Sequence, residues 1–406
     1  MRTGDVTIFS VTNAAVQDLS LPNQQRSTGA SGNATLREAE RIMVVCNACR
    51  YCEGYCAVFR AMEKRRSFPA GDLRYLANLC HDCGECLYAC QYAPPHEFAI
   101  NVPRTFAQLR LESYETYAWP AVLSRAFRRN GVVTSLALAA AMVGVIWLLA
   151  ITTGNLEPPL ARADFYAILP HHVMVALFGA VFGVALIALG VGLARFRRDT
   201  GDPRSLSPGP NRLRQGYGGP PGPGLLASVP AWPAVRDALT LRNLHAHGTD
   251  CTYGGEELRS SWRRWFHHCT FYGFGLCFAA TSVAAMYHWL GWPAPYSYGS
   301  LPVVLGTVGG FGLLIGPAGL YSIGRLRDPA AASPASRYLE HGLIVLLFLS
   351  SLTGLALLVF RETPAMAYLL IVHLGVVLAL FLTLPYGKFV HGLYRTAALV
   401  KHARES

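Results

Sequence analysis

Six apolar runs, each long enough to cross a lipid bilayer, decide what this chain can fold into. They lie at about 132–152, 172–193, 268–290, 301–323, 342–360 and 366–385, with charges almost absent inside them. A helix needs roughly 17–25 mostly apolar residues to span the hydrocarbon core. Buried helices of a large soluble protein would not repeat six times at that length. Composition agrees: 52% of the residues are hydrophobic and only 15% charged, where a soluble domain carries about a quarter charged. The expected fold is mainly α, a six-helix transmembrane bundle.

The formal net charge of +11 suits either nucleic acid or a membrane surface, and the placement of Lys and Arg decides between them. Segment 194–266 carries eleven of them, Arg195, Arg197, Arg198, Arg263 and Arg264 included. Arg325, Arg327 and Arg337 fall between the fourth and fifth runs, and Lys388, Arg395, Lys401 and Arg404 follow the sixth. The three alternate connections, 153–171, 291–300 and 361–365, hold only Arg162 and Arg361. Both termini are therefore expected on the cytoplasmic side. The basic excess is a topology signal, and nucleic acid drops out as a partner.

The chain divides into a loosely ordered polar lead-in over 1–37, a cysteine-rich cytoplasmic domain over 38–120 and the first two membrane helices over 121–195. A cytoplasmic linker follows over 196–266, and 267–406 holds four more membrane helices and a cytoplasmic tail. No cleavable secretory signal is expected in the polar first forty residues. The stretch "DTGDPRSLSPGPNRLRQGYGGPPGPG" has the composition of a flexible linker.

Chemistry concentrates in eight cysteines. Cys46, Cys49, Cys52 and Cys56 follow a C-x2-C-x2-C-x3-C spacing, which Cys80, Cys83, Cys86 and Cys90 repeat. This is the bacterial ferredoxin pattern, in which the fourth cysteine of each run serves the other cluster. Three thiolates two residues apart can turn inward around one cubane, while the fourth lies too far along the chain. Cys46, Cys49, Cys52 and Cys90 are thus expected to hold one [4Fe–4S] cluster, and Cys80, Cys83, Cys86 and Cys56 the second. The 38–120 segment reads as a two-cluster ferredoxin-like domain. Two structural zinc ions are the alternative, but they would not use the third cysteine of each run. Disulfides are disfavoured on a reducing cytoplasmic face. Ala57 and Gln91 stand where simple ferredoxins carry proline after the fourth cysteine.

Clusters beside a membrane need somewhere to send electrons. An ionisable side chain inside a bilayer is costly and marks a functional site by default. His373 lies well inside the sixth run, and His391 follows eighteen residues later, five helical turns and about 27 Å along the axis. His267 and His288 flank the third run, about 60° apart around a helix. Pairing His267 with His391 and His288 with His373 would give bis-histidine sites for one or two b haems, one near each face. His268 and His341 compete for the cytoplasmic end. His171 and His172 are alternatives at the outer end, for haem or a quinone. A histidine at a helix end can also simply sit in the interface.

The fourth run carries Gly306, Gly309, Gly310, Gly312, Gly316 and Gly319, a spacing that admits a close neighbouring helix or a flat macrocycle. Cys269 and Cys277 read as small apolar residues. His245, His247 and Cys251 in "HAHGTDC" are three local donors, one short of a metal site. No dinucleotide or P-loop motif stands out, so the chain passes electrons for a partner that performs the chemistry.

The stretches "CNACRYCEGYCAVF", "LANLCHDCGECLYACQYAPPHEFAINVPR", "RRWFHH" and "LTLPYGKFVHGLYR" are longer than the cysteine spacing requires. They resemble the tricarballylate-utilisation B family, also called the citrate-utilisation B type. The likeness runs from about residue 38 to the C-terminus and is poorest over 199–240. It implies a protein of the bacterial inner membrane that reoxidises the reduced flavin of a companion soluble tricarballylate dehydrogenase and hands electrons toward the quinone pool. The membrane half is also similar in style to the haem b subunit of respiratory nitrate reductase. The expected function is membrane electron transfer from reduced flavoprotein through two clusters, via b haem, to quinone. Two other readings stay open: a quinol-dependent donor to a cytoplasmic reductase, and a membrane-tethered iron–sulfur redox sensor. The depth of His373 argues against the sensor.

Overall fold

The computed structural model describes residues 30–153, 165–201, 232–241, 251–252 and 259–405. Among these the chain is helical, apart from turns and a two-residue antiparallel ladder between β1 (Cys251–Thr252) and β2 (Arg259–Ser260). Five helices build the cysteine-bearing unit: α1 (Ala30–Cys49), α2 (Ala57–Met62), α3 (Ala70–Leu79), α4 (Glu85–Tyr88) and α5 (Val102–Tyr117). The expected lead-in is already helical from Ala30, and residues 1–29 lie outside the described residues.

Both cysteine runs fall largely at helix ends, where the chain is free to turn around a centre. Cys56 is the N-cap of α2 and Cys80 the C-cap of α3. Gly84, at φ +87°, takes the left-handed turn that opens α4, a conformation only glycine adopts without strain. At α5, the Asn101 side chain accepts from the Arg104 amide, an ordinary N-cap.

Six further helices are long and apolar enough to cross a membrane, and they match the six runs: α6 (Ala121–Thr153), α8 (His171–Thr200), α10 (Trp262–Trp289), α11 (Leu301–Leu326), α12 (Pro334–Val359) and α13 (Met366–Thr383). The chain is therefore a membrane protein. Short helices α7 (Phe165–Ile168) and α9 (Trp232–Leu239) lie between them, and α14 (Val390–Glu405) follows. α6 kinks at Asn130, whose carboxamide caps the restarted helix through the Val133 amide. Exposed Trp262 and Trp265 mark one end of α10 and exposed Trp289 and Trp292 the other, as aromatic belts do at membrane interfaces.

In the bundle α12 packs on α6, α11 and α13, α13 also packs on α6 and α8, and α10 lies along α11. The glycines of the fourth run make that last contact. A Cβ on Gly309 would stand 2.8 Å from the Gly273 carbonyl, on Gly312 2.9 Å from the Cys269 carbonyl, and on Gly316 2.8 Å from the Phe266 carbonyl. Their face is filled by the α10 backbone, which selects helix packing over a macrocycle for this glycine run.

The tail expected after the sixth span is a core element. Tyr394, Ala398 and Leu399 of α14 share one hydrophobic core with Leu76, Phe106 and Tyr117 of the cysteine unit. Fully buried Arg65 ties the two together, 3.0 Å from Asp72 and 3.0 Å from Glu405. The cysteine unit is thereby seated on one end of the bundle. Of the expected 196–266 linker, α8 continues to Thr200, and α9, β1 and β2 are regular. His245 and His247 lie outside the described residues.

Candidate metal centres

The cysteine spacing folds into two separate pockets. Cys46, Cys49, Cys52 and Cys90 line one, together with Val45, Phe59 and Ile100. Cys56, Cys80, Cys83 and Cys86 line the other, with Val58, His81 and Glu85. Each pocket takes three cysteines from one run and the last cysteine of the other. All eight are free thiols.

The donor set fits a cluster. Burial and the neighbouring cysteines push the Cys46 and Cys52 thiols up to about 12. Burial and Cys80 do the same to Cys56, also to about 12. Thiolates so crowded and so dry need a cationic centre to exist at all. Among the described residues no three His, Cys, Asp or Glu side chains converge tightly enough for a single ion. Four thiolates on one zinc, at about 2.3 Å each, would have to. The four cysteines of each set line one common pocket, as the ligands of a single cluster must.

The second pocket is tied to the membrane helices by an arginine collar around Cys80, His81 and Asp82. The Cys80 carbonyl accepts from Arg395 of α14 and, at 3.4 Å, from Arg110 of α5. Arg263 of α10 donates to the Asp82 carbonyl at 2.8 Å and the His81 carbonyl at 3.3 Å. The Asp82 carboxylate meets Arg327 at 2.7 Å and Arg110 at 3.3 Å. Burial would raise the Asp82 carboxyl, but Arg327 and Arg110 hold it well below the usual carboxylate range. Burial, then Arg395, Arg263 and Arg110, keep His81 neutral. Burial and Arg110 pull Arg395 down to about 10, so it stays charged at neutral pH.

Arg263 lies one turn before His267, and Arg395 one turn after His391. The two histidines meet edge to face, with ring centroids 6.0 Å apart. Two imidazoles on one iron, with bonds of roughly 2 Å, place their centroids at about that distance. His391 Nδ1 donates to the Lys388 carbonyl at 2.6 Å, which leaves Nε2 as the lone-pair nitrogen, the usual arrangement behind a ligating histidine. His267 Nδ1 is buried with no hydrogen-bond partner among the described residues. In separation, the two imidazoles suit a shared iron at this end.

His288 and His373 make their contacts elsewhere than with each other, His373 from within α13. His373 sits against α12, where its Nδ1 lies 3.0 Å from the Thr353 hydroxyl, and its Cε1 lies 2.9 Å from where a Gly354 Cβ would stand. His288 instead stacks on His171, centroids 3.8 Å apart, with Tyr166 5.0 Å from His288. That separation is too short for a metal between the rings, so a second bis-histidine haem does not fit there. His172 is exposed. His268 packs on Tyr272 and His341 on Tyr321. The single helical face expected to carry both His373 and His391 is broken, because α13 ends at Thr383 and a turn intervenes.

In the sequence alone Arg263, Arg327 and Arg395 read as topology charges, and nothing there marks Asp82 or Arg110. The spacing of Arg263 and Arg395 from histidines, four residues in each case, was the available signal.

With this geometry in place, the comparisons with known proteins are specific. A family model described as citrate utilization protein B matches residues 125–406. A second, the citrate utilization protein B Fer4-like domain, matches residues 39–116. The chain is 49% identical over 371 residues to the citrate utilization protein B of Escherichia coli, covering 91% of this chain and 92% of that protein. No solved structure matches.

Proposed function

The chain belongs to the citrate utilization protein B family, and from that premise we propose that it carries electrons from a soluble flavoprotein dehydrogenase into the membrane. The partner is of the tricarballylate dehydrogenase type, its flavin reduced by the substrate, and the acceptor is membrane quinone. Cys46, Cys49, Cys52 and Cys90 hold one [4Fe–4S] cluster, Cys56, Cys80, Cys83 and Cys86 the other, and His267 with His391 a b haem. Bound in these places, the three groups supply one-electron carriers in series.

The chain's own residues supply placement. The turn after α1, with Arg50 and Tyr51 exposed beside Cys49 and Cys52, leaves the first pocket accessible to a soluble donor. Cys56 and Cys90 cross between the sets and fix the two pockets side by side. One observation carries the reading: the Cys80–Asp82 loop that lines the second pocket is gripped by Arg263 and Arg395, each one turn from the histidine pair. The basic connections gather at this same end, which supports a cytoplasmic position for the cysteine unit and both termini.

The test is anaerobic mixing of the full-length protein with substrate-reduced flavoprotein tricarballylate dehydrogenase, followed by a water-soluble quinone. The broad iron–sulfur absorbance should bleach on mixing and return on adding quinone. A reduced flavoprotein that leaves that absorbance unchanged would overturn the proposed direction and donor.

A further inference from the structure

The two cysteine pockets differ in their charged surroundings. Among the described residues no charged side chain lines the first pocket, although Glu85 acts on Cys52 from the boundary between the sets. The second pocket is flanked by four guanidiniums, those of Arg110, Arg263, Arg327 and Arg395. Facing them are the Asp82 carboxylate, bonded to Arg327 and Arg110, and Glu85 in the pocket wall. Glu340 is matched by Lys388 at 2.8 Å. The collar therefore leaves an excess of positive charge around Cys80.

All four arginines reach the same three-residue loop. Arg395 and Arg110 donate to the Cys80 carbonyl, Arg263 to the His81 and Asp82 carbonyls, and Arg327 to the Asp82 carboxylate and carbonyl. Three of them come from the bundle side of the molecule: α10, the C-cap of α11, and α14.

Adding one electron makes a thiolate-ligated cluster more negative. Burial alone opposes that change. Fixed cations and hydrogen-bond donors close by favour it, and these are the levers that set cluster potentials. In a site of low effective dielectric their influence is strong and barely screened by salt.

We propose that Arg110, Arg263, Arg327 and Arg395 act as positioning residues that make the second cysteine set the higher-potential site, so that an electron passes from the first set to the second and rests beside the histidine pair. In this transfer one electron leaves the reduced first centre, which is oxidised, and enters the oxidised second centre, which is reduced; no proton or bond is exchanged. The collar thus gives the pair a direction, toward the membrane. This rests on the reading of the eight cysteines as two cluster sites.

An anaerobic redox titration of the full-length protein in detergent, followed by the electron paramagnetic resonance of the reduced clusters, tests it. The parent should show two midpoints. Arg395→Gln and Arg263→Gln should each lower only the higher one, shifting the electron-sharing equilibrium toward the first set by about tenfold, or about 59 mV for a one-electron couple. Arg395→Lys, which keeps the charge, should retain most of the separation. Arg50→Gln, beside the first set, should leave the higher midpoint in place. Glutamine variants that load both clusters and leave the higher midpoint unmoved would overturn the proposal, as would a shift confined to the lower one. If Arg395→Gln fails to assemble, Arg263→Gln and Arg395→Lys decide the matter alone. A parent protein without reduced-cluster signals would overturn the iron–sulfur reading itself, and this inference with it.

Discussion

His267 and His391, from helices on opposite sides of the α11–α13 segment in sequence, meet edge to face with ring centroids 6.0 Å apart. The contact exists because α13 stops at Thr383 and the chain turns through Lys388, whose carbonyl fixes the His391 ring. Replacing either histidine with alanine should abolish the b-type absorption bands while leaving the iron–sulfur absorbance. His171→Ala, His288→Ala and His373→Ala should keep the bands. Bands that survive His391→Ala and vanish with His373→Ala would put the haem elsewhere.

Crossed ligation makes a separate demand. Cys90 lies in the second run but lines the first pocket, and Cys56 does the reverse. Cys90→Ala should lose the same cluster as Cys46→Ala, and Cys56→Ala the same as Cys83→Ala, with roughly half the iron retained in each. Iron analysis and the resonance of the remaining cluster would read the pattern. Loss of one common cluster in Cys46→Ala and Cys56→Ala would show that each run closes its own site.

These two sites show what a sequence can and cannot disclose. The cysteine sets were legible because ligation by short spacing is local: turns between x2 spacings force three thiolates inward, and only the fourth must be sought elsewhere. The six spans were legible because lipid imposes length and apolarity on each helix alone. The outer histidine pairing was not, since it depends on which helices are neighbours, and α13 turned His373 toward Thr353 on α12 rather than toward α10. Asp82 and Arg110 were invisible for the same reason: Asp82 is met by Arg110 of α5, Arg263 of α10 and Arg327 at the end of α11.

The α10–α11 contact predicts a cost for small additions. An alanine at Gly309 meets the Gly273 carbonyl and the Cys277 backbone at under 3 Å, and overpacking of this kind costs about 1–3 kcal/mol. Gly309→Ala should denature at a lower temperature in detergent than the parent, with an unchanged reduced spectrum. Unchanged stability with an altered haem spectrum would mean that a macrocycle, not a helix, occupies that face.

Acid should loosen the seat of α14. Burial, then Lys64, Arg60 and Arg65, pull His402 down to about 4, against about 6.5 in an unfolded chain. Between those values the unfolded chain binds a proton that the folded one refuses. The contribution of His402 is therefore complete above about pH 6.5 and shrinks as pH falls toward 4. His402→Gln should flatten the fall in denaturation temperature across that window relative to the parent. Equal slopes in the two proteins would contradict this.

Two clusters and a haem on one chain, gathered at one end of the bundle, have a single optical signature. The most direct measurement is the dithionite-reduced optical spectrum of the purified full-length protein, taken with its iron and haem content. Sharp b-type bands on a bleached iron–sulfur background are expected, with one haem for every two clusters. Iron–sulfur absorbance alone, without b-type bands, would contradict this.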